Sequence, residues 1–408
     1  DYPETSELSA VYSTFLKTVL NSSNLFEDKF RNDDEGSKLA LAMVELYQKT
    51  REKFTVDDRR HYLFTPRDLT LWMKNLCRYD LAGEPLIDIV AHEACRIFRD
   101  RLVGGDAWSR FDQQLNAVLR THFRVTVTAT DLFFTSLTTA RGSGASSSEG
   151  DEPMGGKMHR MTEGDFSKLV SQGIMYYERE ERELNMLLFS EMLEHIAHVD
   201  RVLSSSFGHL LMVGRAGVGR RNAATICAYM LGYEFRTLSV SRDYGQKQFG
   251  EDIKTSMQAA GVKGEHTILF VEDFQIVSES ILEVINSLLS SGEVPGLYTH
   301  EELEPLLSPL REEMQEDGRF HTPYEFFVSR VRKNLHVVLC MDPGHPQILY
   351  RCESNPALYS QCSVLWIGEW RNTSLRVIPT LIDEIKELIG VDDRGAPESE
   401  GKGGEGKG

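Results

Sequence analysis

The residues best suited to chemistry lie in Gly214-Arg215-Ala216-Gly217-Val218-Gly219-Arg220-Arg221, after the apolar run Leu210-Leu211-Met212-Val213 and before a helical pattern through Ala223, Ile226 and Met230. The spacing matches G-x-x-x-x-G-K-[ST], a phosphate-cradling loop whose glycines let backbone N–H groups converge on an anion at a helix N-terminus. Strand, glycine loop and helix in that order separate it from an ordinary glycine turn. Both chemical positions depart from the working pattern. Arg220 stands where Lys reaches the β- and γ-phosphates, and Arg221 where a Ser or Thr hydroxyl ligates Mg²⁺. Arg220 keeps a cation for phosphate, but Arg221 offers no oxygen to a hard metal ion and sets a repelling charge beside it.

A second element is the acidic end of an apolar strand, Ile268-Leu269-Phe270-Val271-Glu272-Asp273. A hydrolytic site wants Asp first, for the metal shell, and Glu second, to polarise the attacking water. Here Glu272 and Asp273 are exchanged, so each carboxylate is displaced by about one methylene, and a shift on the order of 1 Å costs roughly a hundredfold in rate. A third strand end carries Met341-Asp342-Pro343, with Asp342 where an Asn would orient water and the γ-phosphate. Arg220, Arg221, the exchanged acids and Asp342 thus alter four parts of a site whose catalysis is almost wholly electrostatic positioning, which argues against hydrolysis. His92-Glu93-Ala94-Cys95-Arg96 begins like the zinc motif H-E-x-x-H but has Arg96 at the second ligand position, so it reads as a helix-surface His and no metal site is assigned. Arg351 to Pro356 reads as loop and turn.

These loops need a frame. From His209 short β-rich runs alternate with helical ones: His209–Val213, Ala223–Leu231, Thr237–Val240, Thr267–Val271, Ile281–Leu289, Leu335–Leu339 and Val364–Ile367. Such alternation predicts a parallel sheet flanked by helices. Before it, apolar residues from Glu7 to about Arg110 recur at helical spacing (Leu8, Val11, Tyr12, Phe15, Leu16; later Ile89, Val90, Ala94, Ile97), which predicts a helical bundle. Thr65-Pro66-Arg67-Asp68 reads as a capped helix start. It puts Arg67 where the helix dipole disfavours a cation, so either an anion lies nearby or the side chain is simply solvated. Leu187, Leu188, Met192, Ile196 and Val199 predict another amphipathic helix. The Gly- and Ser-rich stretch 141–156 reads as a flexible loop within a linker, and the Gly-rich stretch from about 389 as a disordered tail.

The 408 residues, 41% of them hydrophobic, suffice for two or three domains. A formal charge of -17, from 62 acidic against 45 basic side chains, repels nucleic acid and anionic lipid on average. No run of about 18 apolar residues exists to cross a bilayer. Six cysteines without C-x-x-C spacing read as reduced core residues of a cytosolic protein. The start at Asp1-Tyr2-Pro3, without Met, suggests a fragment.

With these elements in view, the sequence resembles the dynein heavy-chain family. The resemblance rests on the degenerate loop, the exchanged acids, Asn286-Ser287-Leu288-Leu289-Ser290-Ser291-Gly292-Glu293-Val294-Pro295-Gly296-Leu297-Tyr298, Asn334-Leu335-His336-Val337-Val338, and Ser354-Asn355-Pro356-Ala357-Leu358. It covers most of residues 1–385 and leans to the cytoplasmic dynein 2 branch, the retrograde motor of intraflagellar transport. It implies a fold in which an all-α AAA+ lid subdomain precedes a P-loop AAA+ large subdomain, a parallel sheet flanked by helices. Residues 1–115 would be the lid of the third module, 116–165 a linker, 166–388 the α/β body of the fourth, and 389–408 a tail. Within the lid, His61-Tyr62-Leu63-Phe64-Thr65-Pro66-Arg67 is similar to the sensor II element, with Arg67 as its phosphate sensor. Gln361, in Ser360-Gln361-Cys362, aligns where related modules present an Arg finger, and Asp342 takes the sensor I position. The resemblance further implies bound ATP or ADP with little dependence on Mg²⁺. Implied partners are neighbouring modules of the same chain, and, through a parent protein, a second heavy chain, intermediate and light chains and microtubules. The implied setting is cytoplasm, cytoskeleton and cilium. Two rival readings stand beside a non-hydrolysing motor element: an active P-loop ATPase, and a structural module with an empty pocket.

Overall fold

A computed structural model describes residues 4–21, 28–31, 33–80, 84–128, 133–140, 155–368 and 370–382. Most of the loop expected over 141–156, and the tail from 389, lie outside them. The first layer is helical: α1 (Thr5–Asn21), α2 (Asp28–Arg31), α3 (Asp33–Lys53), α4 (Pro66–Asn75), α5 (Leu86–Ile97) and α6 (Gly105–Phe123). Leu8, Tyr12, Leu16, Val19 and Leu20 bury one stripe of α1, as the helical spacing requires, while Val11 falls off that stripe and is exposed. Thr65 caps α4 as expected, with Pro66 at its first position and the Asp68 carboxylate accepting from the Thr65 N–H at 2.8 Å. The division placed at 115 falls inside α6, whose apolar stripe continues through Val118 and Leu119 into the same core.

An antiparallel pair, β1 (Phe133–Thr135) with β2 (His159–Met161), then leads to α7 (Glu163–Glu180) and α8 (Ser190–Leu203). The division placed at 166 falls inside α7, and Leu187 and Leu188, expected on a helix, precede α8. The α/β body comprises β3 (Leu210–Val213), α9 (Arg220–Leu231), β4 (Glu234–Thr237), α10 (Gln246–Gln258), β5 (Thr267–Glu272), α11 (Glu279–Ser291), α12 (His300–Leu307), α13 (Leu310–Asp317), α14 (Pro323–Asn334), β6 (Leu335–Met341), α15 (Ile348–Ser354), α16 (Ala357–Ser360), β7 (Ser363–Trp366) and α17 (Asn372–Leu381). Its five strands are all parallel in the order β4-β5-β6-β3-β7, and β3, β5 and β6 are buried along nearly their whole length and mostly apolar because both faces are covered by helices. The fourth strand lies three residues earlier than the expected Thr237–Val240. It is an edge strand paired only to β5, so half its surface stays accessible and its apolar signal is weak.

A buried polar cluster joins the helical layer to the body. Glu93, on α5 and fully buried, takes two hydrogen bonds from the Arg201 guanidinium on α8 at 2.7 and 2.6 Å, one from Asn75 at 3.1 Å, and one from the Tyr79 hydroxyl. Arg78 donates to the Arg201 carbonyl at 2.8 Å and to Ser204 at 2.9 Å. Burial pushes the Glu93 carboxyl up, but the Arg201 charge and these hydrogen bonds outweigh it and bring it down to about 2. His92, expected on the helix surface, is buried beside Phe134 and Tyr79, with ring centroids 4.8 and 6.0 Å away. The sequence motif placed it on a helix correctly, but α5 is covered on nearly every side.

Glu93→Leu strands a buried guanidinium and is expected to destabilise the chain by about 3–5 kcal/mol, whereas Glu93→Leu with Arg201→Met should recover most of that loss. Guanidinium titrations measure both, and a double variant no more stable than the single one would show that the pair is not the determinant. Because the folded pKa lies below the ordinary 4.5, this stabilisation is complete above that value and is lost as pH falls from there through about 2.

Candidate functional site

The loop Gly214–Gly219 joins the C-terminal end of β3 to α9. Gly214 is pinned by its N–H to the Met341 carbonyl at 3.0 Å and lies against Ile367, so the loop leaves the sheet beside the ends of β6 and β7. Gly217 and Gly219 both have left-handed backbones, at φ 89° and 79°, and a Cβ on Gly219 would collide with the Met192 side chain. Gly219 is also the N-cap of α9 and has no side chain with which to satisfy the first-turn N–H groups. Those donors and the helix dipole therefore face the loop, which is what a phosphate group needs. One turn from Met192, Phe189 meets Trp370 edge to face at 4.6 Å, and both belong to the apolar cluster that includes Met192, Ile367 and the loop residue Val218.

Arg220 is buried and turns into the fold, donating to the Met341 carbonyl at 3.0 Å. Arg221 donates to Glu272 Oε2 at 3.2 Å, with its guanidinium 5.8 Å from the Phe270 ring. Both cations at the end of the loop are thus engaged by the protein itself. Glu272 is held at the end of β5, where its N–H donates to Gln275 at 2.8 Å and Gln275 is anchored in turn to the Leu238 carbonyl at 2.7 Å. Asp273 accepts the Asp342 N–H and faces Arg351 at 3.4 Å, while Arg351 also reaches Glu279 at 3.2 Å. Burial raises the Asp273 pKa against the opposing pull of that N–H, His345, Arg351 and Arg220. Asp342 turns its carboxylate to the Gly344 N–H at 2.8 Å. Charges that would hold a hydrated Mg²⁺ are closed on one another, and no hydroxyl stands at 221 to ligate it. The residues present fit the phosphates of a nucleotide but not the metal that hydrolysis requires.

Arg351 is the partner that sequence reading missed. It is buried, and its position one turn into α15 aims it at Asp273; a lone Arg in a turn-like stretch gave no signal of that. The stretches quoted for the resemblance do meet: Asn286 on α11 accepts the Ala357 N–H at 3.0 Å. Arg67 and Gln361, 294 residues apart, also meet, with the guanidinium donating to Gln361 Oε1 at 2.7 Å. That contact lies at the N-terminal end of β7, whereas the glycine loop lies at the C-terminal end of β3, so the two sets belong to opposite ends of the sheet. All six cysteines are free.

Two family models match: residues 184–388 match the P-loop containing dynein motor region D4, and residues 15–107 the dynein heavy chain ATPase lid domain. Cytoplasmic dynein 2 heavy chain 1 of Tripneustes gratilla is 42% identical over 93% of this chain, and that of Homo sapiens is 40% identical over 94%; each alignment covers 9% of the relative. The cytoplasmic dynein heavy chain of Dictyostelium discoideum is 30% identical over 92% of the chain and 8% of the relative. The chain therefore spans about a tenth of the length of the curated relatives it matches.

Arg351→Ala should raise the Asp273 pKa further and destabilise the chain by about 1–3 kcal/mol at pH 8, because a buried carboxylate loses its counter-charge. A group whose folded pKa is raised loses its stabilising contribution as pH rises through that pKa, so the deficit should shrink as pH falls toward 4. Urea titrations of both proteins at pH 5 and 8 measure this; an equal deficit at both would place the role of Arg351 elsewhere.

Proposed function

This chain belongs to the dynein heavy-chain family, and from that premise we propose that it is the lid of a third AAA+ module joined to the body of a fourth, which holds a nucleotide without hydrolysing it. The observation that carries this reading is the Arg221–Glu272 pair at 3.2 Å, where a protein cation occupies the side of the site that a metal ion would need. Glycine-loop backbone, the uncapped start of α9 and the apolar pair of Phe189 and Trp370 remain to hold ATP or ADP. A bound nucleotide would bias the position of the lid that follows this module, and so pass a conformational change around the motor ring. The parent protein on this reading is a microtubule motor with intermediate and light chains, and the higher identity to the dynein 2 chains favours retrograde intraflagellar transport in the cilium over general cytoplasmic transport.

The empty-pocket reading is favoured by one observation: Arg220 is folded onto Met341 rather than left free for phosphate. Mass spectrometry of nucleotide released on denaturation separates the two. The nucleotide-bound reading expects ADP or ATP near one per chain, ATP turnover at background, and an affinity that changes less than tenfold, about 1.4 kcal/mol, on adding EDTA. Measurable turnover sensitive to Arg220→Ala would sink it.

Arg67 is proposed to sense the nucleotide of the preceding module, with Gln361 setting its orientation from the next. Arg67 is exposed and, among the described residues, its hydrogen-bond partner is the neutral Gln361, so Arg67→Ala should cost about 1 kcal/mol of stability or less. In the whole motor it should weaken nucleotide binding at that site and slow stepping. A variant that melts several degrees lower with unaltered motility would make Arg67 a structural residue instead.

A further inference from the structure

The sequence holds three steps in which Ser or Thr precedes Pro, and they differ in what the hydroxyl does. Thr65 before Pro66 and Thr322 before Pro323 are helix N-caps. The Thr65 hydroxyl donates to the Asp68 carboxylate at 3.2 Å, and the Thr322 hydroxyl accepts the Glu325 N–H at 3.2 Å. Each of these hydroxyls is thus committed to a cap, with a carboxylate three residues on. Ser308 before Pro309 is the reverse case. It is exposed, its hydroxyl has no hydrogen-bond partner among the described residues, and the residue three positions on is Arg311.

Ser308 and Pro309 form the exposed turn between α12 and α13. This helical pair lies between α11 and α14 and adds no strand to the sheet. α12 buries none of its residues fully, and α13 buries only Leu310. The half-buried Leu306, Leu307 and Met314 and two ion pairs do the rest, Lys254 on α10 with Glu302 at 2.8 Å and Arg330 on α14 with Glu313. An element with so little burial opens locally at small cost. A residue before proline favours extended backbone, so the opened turn presents Ser308 in the extended form that a kinase cleft takes. Pro309 has no N–H to leave unpaired in an apolar pocket beside the reacting hydroxyl, and Arg311 offers a cation to an acidic subsite.

We propose that Ser308 is a phosphorylation site for a proline-directed Ser/Thr kinase that reads a cation three residues after the serine. The γ-phosphoryl group of ATP passes to Ser308 Oγ: the new O–P bond replaces the bond to ADP, and the hydroxyl proton goes to the kinase's catalytic carboxylate. The product carries about -1.5 to -2 charges at pH 7. Arg311 now pairs across the turn with Glu304 at 2.5 Å. Glu304 lies four residues before Ser308 on the last turn of α12, where it and the helix dipole both repel a second anion. α13 starts behind Pro309, whose side chain offers no acceptor, so its first turn and Arg311 gain the phosphate. Phosphorylation draws Arg311 from Glu304, loosens the end of α12 and leaves α13 firm. The change reaches α10 through the Lys254–Glu302 pair.

The test incubates the purified chain with a cyclin-dependent kinase and ATP and maps the product by fragment mass spectrometry. One phosphate per chain is expected, on Ser308. Ser308→Ala should abolish it, Pro309→Ala or Arg311→Ala should slow it at least tenfold, and Thr322→Ala should leave the rate within twofold. Amide hydrogen exchange of the phosphorylated chain should be at least threefold faster over 303–307 and no faster over 310–317. Phosphate on Thr65 or Thr322 instead, a rate indifferent to Arg311→Ala, or no incorporation overturns the assignment of the site. Unaltered exchange over 303–307 overturns its effect on α12.

Discussion

A carboxylate with no exposed surface sits between two AAA+ subdomains, and the arrangement of the rest depends on how it is neutralised. Glu93 belongs to the lid and Arg201 to the body. Removing both charges from water costs several kcal/mol each, and their attraction offsets that only when the geometry is good and the remaining lone pairs are filled. Here the guanidinium contact is two-pronged, and Tyr79 and Asn75 fill the rest. Any sliding of α5 over α8 would break this set before it gained anything. The junction has two further clasps, a stacked His61–Trp366 pair at 4.8 Å and the backbone exchange between Arg78, Asp80 and Met158. Lid and following body are therefore clasped at three separate places along their junction.

The glycine-loop site obeys the same rule of closing charge on charge. In a hydrolysing site the acids at the end of β5 stay available because their counter-ion is a metal that arrives with the nucleotide. Here Arg221 supplies that counter-ion permanently, and Arg351 with the Asp342 N–H does so for Asp273. A built-in cation costs no metal affinity but cannot activate water as a metal does. On the proposed reading, the substitution leaves a site whose occupancy alone can matter.

Much of this was legible in the sequence. The glycine loop, the order of strands and helices, the α4 cap and the exchanged acids all depend on local signals, namely φ > 0 at glycines, period-2 against period-3.6 patterning, and Pro at a helix start. What escaped were long-range pairings. Glu93 looked like a fragment of a zinc motif because its partner lies 108 residues away. Arg351 looked like part of a turn because its partner is 78 residues back. The edge strand β4 was displaced because an edge needs little apolar character. Arg67 and Gln361 were each singled out by resemblance, yet nothing local indicated that they touch.

The two ends of the sheet end up with opposite electrostatic characters. At the C-terminal end Arg220, Arg221, Glu272 and Asp273 are each engaged by a protein carbonyl, N–H or opposite charge, so a bound phosphate meets mainly backbone N–H dipoles. At the N-terminal end, facing the lid, Lys74 and Arg332 remain uncompensated beneath a fold whose total charge is -17. In the same wall Asp68 answers Arg101 at 2.6 Å, so that part of the lining carries no net charge. The junction of lid and body is thus held by the buried Glu93–Arg201 pair and lined one helix away by cations whose charge is only partly compensated among the described residues.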